Sequence, residues 1–481
     1  MRMNIEDFLD IEKKYNLYEQ EIDGVQYWTY ARFTIWNYRI CSSKLRLEAA
    51  HKKEKKSITK MMCLMTGMAY NSVVKRKIPK KNVDILFLNH ERRRKNQQYY
   101  ECPYTERLSE HYTNSVTIEK PYEYRHFQPV KTNNLMYADY IAVKANLYYR
   151  IHKVLKSREY KRLILLVKEQ MNKPIEEMKE RYSWEVDEYK IYDFLVEQIF
   201  LYKKEYKEYD KLLNRLKPKV VIEVVYFCMQ NMIINEIAKK KGILTVELQH
   251  GAMYPEHAAY HYAKEAVIRQ YPDRMFLFSD FWKRSIQVPI PEKDLVSTGY
   301  PLFEEKVNAY RNKTKDDERR TILFVSQGTI GIYLSQLALD VAQLLPAEEY
   351  RILYKLHPSE YQTWRESYPC LHTDRIEVIA QTESIYKYFA TSDMQIGAYS
   401  TAIYEGLGFG LQTLILRVGH YDSMEFLVDE GYAQYVDCAE DVIKLLQEGC
   451  RRKIGQNDFW KRNAMQNIKD EIDGLLLKEN K

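Results

Sequence analysis

Short apolar runs alternate with amphipathic stretches along the second half of the chain. Runs of this kind, rich in β-branched residues and bounded by turn-forming residues, are typical of buried strands. They predict strands at residues 219–225, 243–248, 274–278, 321–325, 351–355, 376–379, 394–396 and 412–416. Helical spacing predicts helices between them, at residues 231–241, 331–345, 384–390 and 402–408. Such alternation is typical of doubly wound parallel sheets.

The first half of the chain has a different pattern. Residues 1–80 are amphipathic and predicted to be helical, and one strand is predicted at residues 83–88. Helical spacing returns from about residue 137 to 216, with an interruption expected at Pro174. Of the sixteen glycines, only Gly24 and Gly67 precede residue 242. Because glycine permits tight phosphate-binding loops, we expect nucleotide chemistry in the second half.

Together these patterns predict an α/β protein with two Rossmann-like, doubly wound domains that face a cleft. A chain of 481 residues is too long for one hydrophobic core. The predicted units are a basic helical region (1–80), a Rossmann-like domain (81–307) with a helical insertion at about 137–216, a linker (308–320), a second Rossmann-like domain (321–450) and a helical tail (451–481).

The net charge of +7 is concentrated between residues 44 and 81, where two basic runs flank an apolar segment at 61–70. That segment is too short to span a bilayer, which takes about 20 residues. Basic flanks around an apolar centre can dock on an anionic membrane surface, and a solvated helix pair with one packed face is the alternative. No nucleic-acid-binding motif accompanies the basic runs, so no nucleic acid partner is expected.

The cysteines and the N-terminus indicate a reducing compartment. The seven cysteines are scattered without paired spacing, so neither a disulfide framework nor a zinc site is expected. The first residues lack the apolar core of a signal peptide, and the sequence shows no transmembrane helix. We therefore expect a cytoplasmic protein, with the inner face of the cell membrane as a second, peripheral location.

His250 stands at the end of a predicted strand and is followed by Gly251. Carboxyl ends of parallel strands are where α/β proteins bind ligands, and a histidine there can exchange protons near neutral pH. The alternative is a capped strand whose histidine only bonds the loop. His257 and His261 follow, but neither an HExxH pattern nor a carboxylate cluster accompanies them, so no metal is expected.

The second Rossmann-like unit carries polar segments at the ends of its predicted strands. His357, which a proline follows, comes after a strand that ends at Lys355, whose charge would add to a diphosphate site. Ser400 and Thr401 precede a helix, where free N–H groups bind phosphate or where the hydroxyls merely cap the helix. Glu405 lies one turn further on and is expected to hold ribose hydroxyls. The remaining segment consists of Ser326, Gln327, Gly328 and Thr329.

In order and spacing, these motifs resemble those of the two-domain GT-B glycosyltransferases of bacterial surface-polymer synthesis. The resemblance is closest to the CDP-glycerol glycerophosphotransferases and the sialyl- and Kdo-type capsule transferases, and it covers roughly residues 219–446. Gln249 and Glu405 depart from the glycerophosphotransferase pattern, which often has tryptophan and aspartate there. Residues 1–218 match no such pattern. The elements of the resemblance are His250 with Gly251, His357 with Pro358, and Ser400 with Thr401 and Glu405.

The resemblance implies an enzyme that transfers a sugar or polyol phosphate from a nucleotide-activated donor to a hydroxyl of a surface polysaccharide or lipid-linked acceptor. His250 would deprotonate that hydroxyl, with Glu256 and Glu91 as alternatives. A cytidine nucleotide is favoured, a uridine nucleotide stays open, and no further cofactor is implied. The donor site would consist of His357, Ser400, Thr401, Glu405, Ser326, Gln327, Gly328, Thr329 and Lys355.

Two other functions stay open at this point. Sugar-nucleotide 2-epimerases share the two-domain fold and use histidines and carboxylates in the cleft, and they would act on a nucleotide sugar without an acceptor. A membrane-surface scaffold that kept the fold but lost turnover is the non-enzymatic alternative. Such a scaffold need not bind any nucleotide.

Overall fold

Two parallel sheets organise the computed structural model of the chain. The structure describes residues 5–37, 82–122, 125–310, 315, 317–381, 383–448, 453–455 and 457–478. Within these residues, one sheet has seven strands, the other has six, and all pairings in both sheets are parallel. The predicted α/β class with two doubly wound domains is confirmed.

The first domain contains the seven-stranded sheet and a small antiparallel hairpin. Its strands are β1 (Ile85–Leu88), β2 (Arg94–Asn96), β3 (Tyr99–Glu101), β4 (Ser115–Glu119), β5 (Leu135–Tyr137), β6 (Val220–Glu223), β7 (Leu244–Leu248), β8 (Arg274–Leu277) and β9 (Leu295–Ser297). The sheet order is β5-β4-β1-β6-β7-β8-β9, and β2 with β3 forms the hairpin. The order reverses between β1 and β6, where doubly wound sheets bind ligands.

The second domain contains the six-stranded sheet. Its strands are β10 (Arg320–Val325), β11 (Tyr350–Lys355), β12 (Ile376–Ile379), β13 (Met394–Gly397), β14 (Gln412–Leu416) and β15 (Gln434–Val436). The sheet order is β12-β11-β10-β13-β14-β15, so the reversal falls between β10 and β13. The loops that follow these two strands contain residues 326–329 and Ser400, which belong to the predicted donor site.

Helices cover both faces of the sheets. Those from the N-terminus to the domain linker are α1 (Ile5–Lys14), α2 (Tyr27–Thr34), α3 (Glu106–His111), α4 (Asp139–Val154), α5 (Arg158–Tyr182), α6 (Glu188–Leu216), α7 (Met229–Lys240), α8 (Asp280–Arg284) and α9 (Pro301–Tyr310). They are followed by α10 (Gly331–Leu344), α11 (Trp364–Ser367), α12 (Ile385–Phe389), α13 (Thr401–Gly408), α14 (Glu425–Asp429), α15 (Ala439–Glu448) and α16 (Ala464–Lys478). Alternate residues of β1 and β6 lie in two different apolar cores, one on each face, which explains their nearly continuous apolar sequences.

Helices α4, α5 and α6 form the helical insertion predicted at about 137–216. The interruption expected at Pro174 was wrong, because α5 runs through this residue. The proline is buried, and packing of α5 against α6 offsets the backbone hydrogen bond that proline cannot make. The helices begin instead after Ser157 and Asp187, whose side chains accept hydrogen bonds from early backbone N–H groups of α5 and α6.

Helices α1 and α2 join the first domain through a buried ion pair. Arg32 of α2 donates from Nε to Oε1 of Glu12 at 2.8 Å, and from Nη2 to the carbonyl of His261 at 3.1 Å. Because a buried charge is costly to leave unpaired, this contact fixes α2 beside the loop after β7. The predicted membrane-docking segment at 44–81 lies outside the described residues, and it stays a prediction.

Helix α16 lies in the tail predicted at 451–481 and packs back onto the first domain. Ile468, Ile472 and Leu475 join the core on one face of the seven-stranded sheet. Trp460, just before this helix, stacks on Phe303 of α9 with ring centroids 4.2 Å apart. The chain therefore passes from the first domain to the second and back again. In the described ranges, no helix has the length and apolar content needed to cross a membrane.

Candidate active site

His250 follows β7 at the carboxyl edge of the first sheet. Its side chain is 18% exposed, and its Nδ1 lies 3.9 Å from Oε1 of Glu247. Burial, together with the charges of His90 and His257, lowers the pKa of the His250 imidazole to about 3. The ring is therefore neutral at neutral pH, which is the state in which it can accept a proton.

His90 was not predicted as a site residue, yet it lies beside His250. The two ring centroids are 5.9 Å apart, and Nδ1 of His90 accepts a hydrogen bond of 2.9 Å from the backbone N–H of Arg92. Burial, followed by the charges of Arg92 and Lys120, lowers the pKa of His90 to about 4. The predicted Glu91 is exposed at this edge. The signal for His90 was its position just beyond the apolar run of β1.

Tyr104 connects the backbone of His250 with Tyr300. Its hydroxyl donates a hydrogen bond of 2.6 Å to the carbonyl of His250, and its ring stacks on Tyr300 with centroids 5.5 Å apart. Burial and, to a smaller degree, the charge of Glu405 raise the pKa of both tyrosines. Tyr386 donates a hydrogen bond of 3.0 Å to Glu405. Burial nevertheless raises the pKa of Glu405 to about 7.

At the carboxyl edge of the second sheet, the loop after β10 lies against the loop after β11. Ser326 is buried and donates a hydrogen bond of 3.0 Å to Oε1 of Glu360. A Cβ built on Gly328 would lie 3.5 Å from Oγ of Ser359, so the two loops lie close together at this point. Ser326 therefore supports the loop, whereas Oε1 of Gln327 is buried with no hydrogen-bond partner among the described residues.

His357 is exposed and is held by its own turn. Its Nδ1 lies 2.7 Å from Oγ of Ser359, and its backbone N–H donates a hydrogen bond of 2.6 Å to Oε2 of Glu360. With Nδ1 engaged, Nε2 is the ring nitrogen through which a ligand would be bound. The turn thus presents one imidazole nitrogen beside residues 326–329.

Lys355 supports the same loop from inside the domain. Its ammonium group donates to the carbonyls of Leu356 (3.2 Å) and Gln381 (3.1 Å) and to the hydroxyl of Tyr361 (2.6 Å). An ammonium group has three donors, and all three are used within the protein. The charge that we expected at a diphosphate therefore stabilises the loop that carries His357.

Ser400 and Thr401 begin α13. Oγ of Ser400 accepts a hydrogen bond of 3.2 Å from the N–H of Ala402 and so caps the helix, whereas Thr401 is exposed. The hydroxyls of Tyr399 and Thr329 lie 2.6 Å apart, within hydrogen-bond distance. This contact joins the loop after β10 to the N-terminus of α13, where the partial positive charge of the helix favours anions.

A cavity of about 260 Å³ lies between the two domains. Tyr254 and Glu256 line it from the first domain, and Tyr399 and His420 line it from the second. The carbonyl of Glu256 accepts a hydrogen bond of 2.8 Å from Nε1 of Trp36, which fixes the cavity wall. His420 was not predicted; burial lowers its pKa, and its ring meets that of Tyr399 edge-on at 5.4 Å. The other lining residues are Trp36, Asn37, Asp422 and Ser423.

The residues predicted from the sequence fall into three groups along the domain boundary. His250 is bonded to Tyr104, Glu405 is bonded to Tyr386, and His357 lies beside residues 326–329. Glu256 lies on the interdomain cavity, which neither His250 nor His357 lines. In the part of the chain that the structure describes, no three or more His, Cys, Asp or Glu side chains group in a way that could hold a metal ion.

The chain matches no protein-family model and no curated protein sequence. Among solved structures, it is similar to UDP-GlcNAc 2-epimerase of Methanocaldococcus jannaschii, with 12% identity, coverage of 82% of this chain and 99% of the other, and a TM-score of 0.46. It is similar to a variant of the wall teichoic acid polymerase TagF, with 12% identity, 92% and 99% coverage, and a TM-score of 0.43. MurG of Acinetobacter baumannii matches at 16% identity, 58% and 79% coverage, and a TM-score of 0.40. At such low identity, these similarities say nothing about substrate.

Proposed function

We propose that this chain is a nucleotide-sugar-dependent enzyme of the glycosyltransferase type. It would move a sugar or polyol phosphate from a nucleotide donor to a hydroxyl of a cell-surface polysaccharide or lipid-linked acceptor. The observation that supports this proposal is the cavity between the two domains, which Tyr254 and Glu256 line from the first domain and Tyr399 and His420 from the second. Such a cavity suits a reaction between two substrates, because each domain can hold one of them.

The donor phosphates would bind to the second domain at α13. The N–H groups and partial positive charge of its first turn favour anions, and the hydroxyls of Thr401 and Thr329 add donors. His357 would contact the phosphates through Nε2, because Ser359 engages its Nδ1. The same groups would stabilise the charge that develops on the leaving nucleotide.

Glu405 would hold the ribose of the donor. It lies on the second turn of α13, and the hydrogen bond from Tyr386 orients its carboxyl group. A carboxylate in this position can accept hydrogen bonds from ribose hydroxyls. The sequence resemblance favours a cytidine nucleotide, and a uridine nucleotide is the alternative.

His250 would act as the general base on the acceptor. As the acceptor hydroxyl attacks the donor, its proton passes to the imidazole, the new bond to the transferred group forms, and the nucleotide leaves with the electron pair of the bond that breaks. This role requires an uncharged ring, as His250 has at neutral pH, in the tautomer that leaves a lone pair on the nitrogen facing the acceptor. Glu256 on the cavity wall and Glu91 at the exposed edge are alternatives if His250→Ala retains full activity.

The acceptor would be reached at the inner face of the cell membrane. Residues 44–81 contain twelve lysines and arginines and only two glutamates, and they would hold the enzyme on anionic lipids. An acceptor that is lipid-linked or still growing would then lie within reach of the domain boundary.

A thermal-shift panel of CMP, CDP, UDP and GDP on the full chain tests the donor site. A nucleotide at 100 times its dissociation constant stabilises the folded state by about 2.7 kcal/mol, which raises the melting temperature. Thr401→Val should reduce that shift, whereas Thr363→Val, at an exposed position on α11's N-terminal side, should leave it unchanged. If none of the four nucleotides changes the melting temperature, the proposed function is wrong.

A second assay separates transfer from epimerisation. The protein is incubated with a nucleotide sugar in the absence of any acceptor, and the sugar is analysed for inversion at C2. An epimerised product would replace the transferase proposal with the 2-epimerase alternative. An unchanged sugar, together with nucleotide release that requires an added acceptor, supports transfer.

A further inference from the structure

Glu247 is a buried glutamate of β7 that the reaction above does not use. Its Oε1 accepts hydrogen bonds from the hydroxyl of Tyr260 (2.7 Å) and from the backbone N–H of Tyr226 (3.2 Å). Its Oε2 is buried and has no hydrogen-bond partner among the described residues. Nδ1 of His250, three residues later, is in the same condition and lies 3.9 Å from Oε1 of Glu247.

Each of these two buried polar atoms is costly, because it has lost its water without gaining a hydrogen bond. The distance of 3.9 Å between Nδ1 of His250 and Oε1 of Glu247 is roughly 1 Å longer than a hydrogen bond. Catalytic hydrogen bonds are often long in the free enzyme and shorten when substrate binds. A small rotation of either side chain would join the two groups.

We propose, on the basis of the function proposed above, that Glu247 is a positioning residue for His250. Its carboxyl group would hydrogen-bond to Nδ1 and thereby decide whether Nε2 meets the acceptor with a lone pair or with a proton. An ionised carboxylate accepts the N–H of Nδ1, which leaves the lone pair on Nε2. A protonated carboxyl donates to Nδ1 instead, which leaves the proton on Nε2 and a ring that cannot act as a base there.

The two states of Glu247 interconvert in an accessible pH range. Burial raises the pKa of this carboxyl to about 8, although Tyr260 and the N–H of Tyr226 lower it. Tyr271 also faces this carboxyl, and Glu223 occupies the paired position of β6. Burial and the charge of Glu247 raise the pKa of Glu223 well above its usual range.

The other titratable groups that act on His250 are His90 and His257. Burial lowers the pKa of each of these imidazoles to about 4. Both are therefore neutral throughout the range in which Glu247 titrates. A change in the His250 ring between neutral pH and alkaline pH would accordingly report on Glu247.

Long-range proton–nitrogen NMR of the full chain with nitrogen-15-labelled histidine distinguishes the two tautomers of His250. The signal of His250 is assigned by its loss in His250→Gln. In the wild type, we expect the Nε2–H form well below pH 8 and the Nδ1–H form well above it. Glu247→Gln keeps an oxygen for the bonds made by Oε1 and places an NH₂ group where Oε2 was, so it should hold the Nε2–H form throughout.

Glu223→Gln is the matched control, since it removes a buried carboxyl from the neighbouring strand and should keep the change of tautomer. The inference is overturned if His250 shows the same tautomer in the wild type and in Glu247→Gln above pH 8. If Glu247→Gln does not fold, the wild type alone is sufficient for the test. A His250 ring that keeps one tautomer from well below to well above pH 8 would also overturn the inference.

These measurements need no turnover, so their outcome is separate from that of the proposed function. A protein that binds no nucleotide but shows the change of tautomer supports the contact and refutes the transferase. Where transfer is measurable, wild-type kcat should rise about tenfold per pH unit below the pKa of Glu247 and level off above it. Glu247→Gln should lower kcat at least tenfold above pH 8, and by less as the pH falls, while the donor KM stays unchanged.

Discussion

The hydroxyl of Tyr104 holds the backbone carbonyl of His250 at 2.6 Å, while the ring of Tyr104 stacks on Tyr300. Tyr300 in turn stacks on Phe278 with ring centroids 4.8 Å apart. The backbone of His250 is therefore held by a hydrogen bond to a stack of aromatic rings. The position of His250 depends on these stacked rings as well as on the end of β7.

Tyr104→Phe removes this hydrogen bond and keeps the ring. We expect the free energy of unfolding to fall by about 1 kcal/mol, which is typical of one hydrogen bond. The proposed transfer should slow several-fold in kcat, with little change in KM, because the carbonyl of His250 loses its anchor. Urea unfolding and steady-state kinetics measure the two effects.

Tyr112→Phe is the control for that substitution. The hydroxyl of Tyr112 donates a hydrogen bond of 2.8 Å to Asp473, away from His250. Its loss should cost a similar amount of stability and leave kcat unchanged. Equal kcat values for the two variants would show that the bond from Tyr104 does not position His250.

Glu405→Gln should change how stability depends on pH. The pKa of this carboxyl is raised from 4.5 to about 7, so between these values the folded state keeps a proton that the unfolded state has lost. The free energy of unfolding of the wild type therefore falls as pH rises through this range. Glutamine has no such dependence, and the variant should gain up to about 3 kcal/mol relative to the wild type between about pH 4 and pH 8.

Chemical denaturation at several pH values measures this gain for Glu405→Gln. The exposed Glu366→Gln serves as the control, and its difference from the wild type should be the same at every pH. A difference for Glu405→Gln that is likewise independent of pH would mean that the Glu405 carboxyl is not held in its protonated form by burial.

Gly419→Ala should disturb the contact between Tyr399 and Thr329. Gly419 has a φ of +61°, and an added Cβ would lie 2.7 Å from the ring of Tyr399. We expect a loss of about 2 to 4 kcal/mol, from backbone strain and from the displaced ring. Because Tyr399 would move away from Thr329, the thermal shift produced by a bound nucleotide should also shrink.

Gly410→Ala separates the two causes. Gly410 has a φ of +85°, but an added Cβ would meet nothing within 4 Å. This variant should lose only the roughly 1 kcal/mol of backbone strain and keep the full nucleotide-induced shift. An equal loss of unfolding free energy in both variants would mean that displacing the ring of Tyr399 does not destabilise the protein.

Ile472→Ala should destabilise the first domain, although it lies beyond the second in sequence. Ile472 is fully buried in the core that β1 and β6 share with α16. Its truncation should cost about 2 to 5 kcal/mol of unfolding free energy. Leu477→Ala, on the same helix at 68% exposure, should cost almost nothing. Hydrogen exchange in β1 and β6 should accelerate in the first variant alone, and unchanged exchange there would contradict this packing.

The strands that could be predicted from the sequence are mostly those that are buried on both faces and therefore consist of apolar residues. β7 and β14 lie inside their sheets and are covered on both faces, so a continuous apolar run marks them. β9 and β15 were not predicted because they are three residues long and lie at sheet edges. β4 was missed because polar residues interrupt it, and its buried Glu119 is compensated by Arg93, which is distant in sequence.

The site residues likewise divide into those marked by the local sequence and those that only the fold brings together. The position of His250 at a strand end could be read from its neighbours alone, since a strand and a following glycine are local features. His420 could not be found, because only the folded loops bring it to Tyr399. Glu247 could have been selected from the sequence. A charged residue within a buried parallel strand is energetically costly, so it is a candidate for a functional role.

The return of α16 to the first sheet has a consequence for synthesis of the protein. Ile468, Ile472 and Leu475 complete a core whose other members lie between residues 85 and 276. One apolar face of the first domain therefore stays exposed until the ribosome has translated nearly two hundred further residues. During that interval the nascent chain presents the kind of surface that chaperones bind, and the second domain can fold before the first is finished.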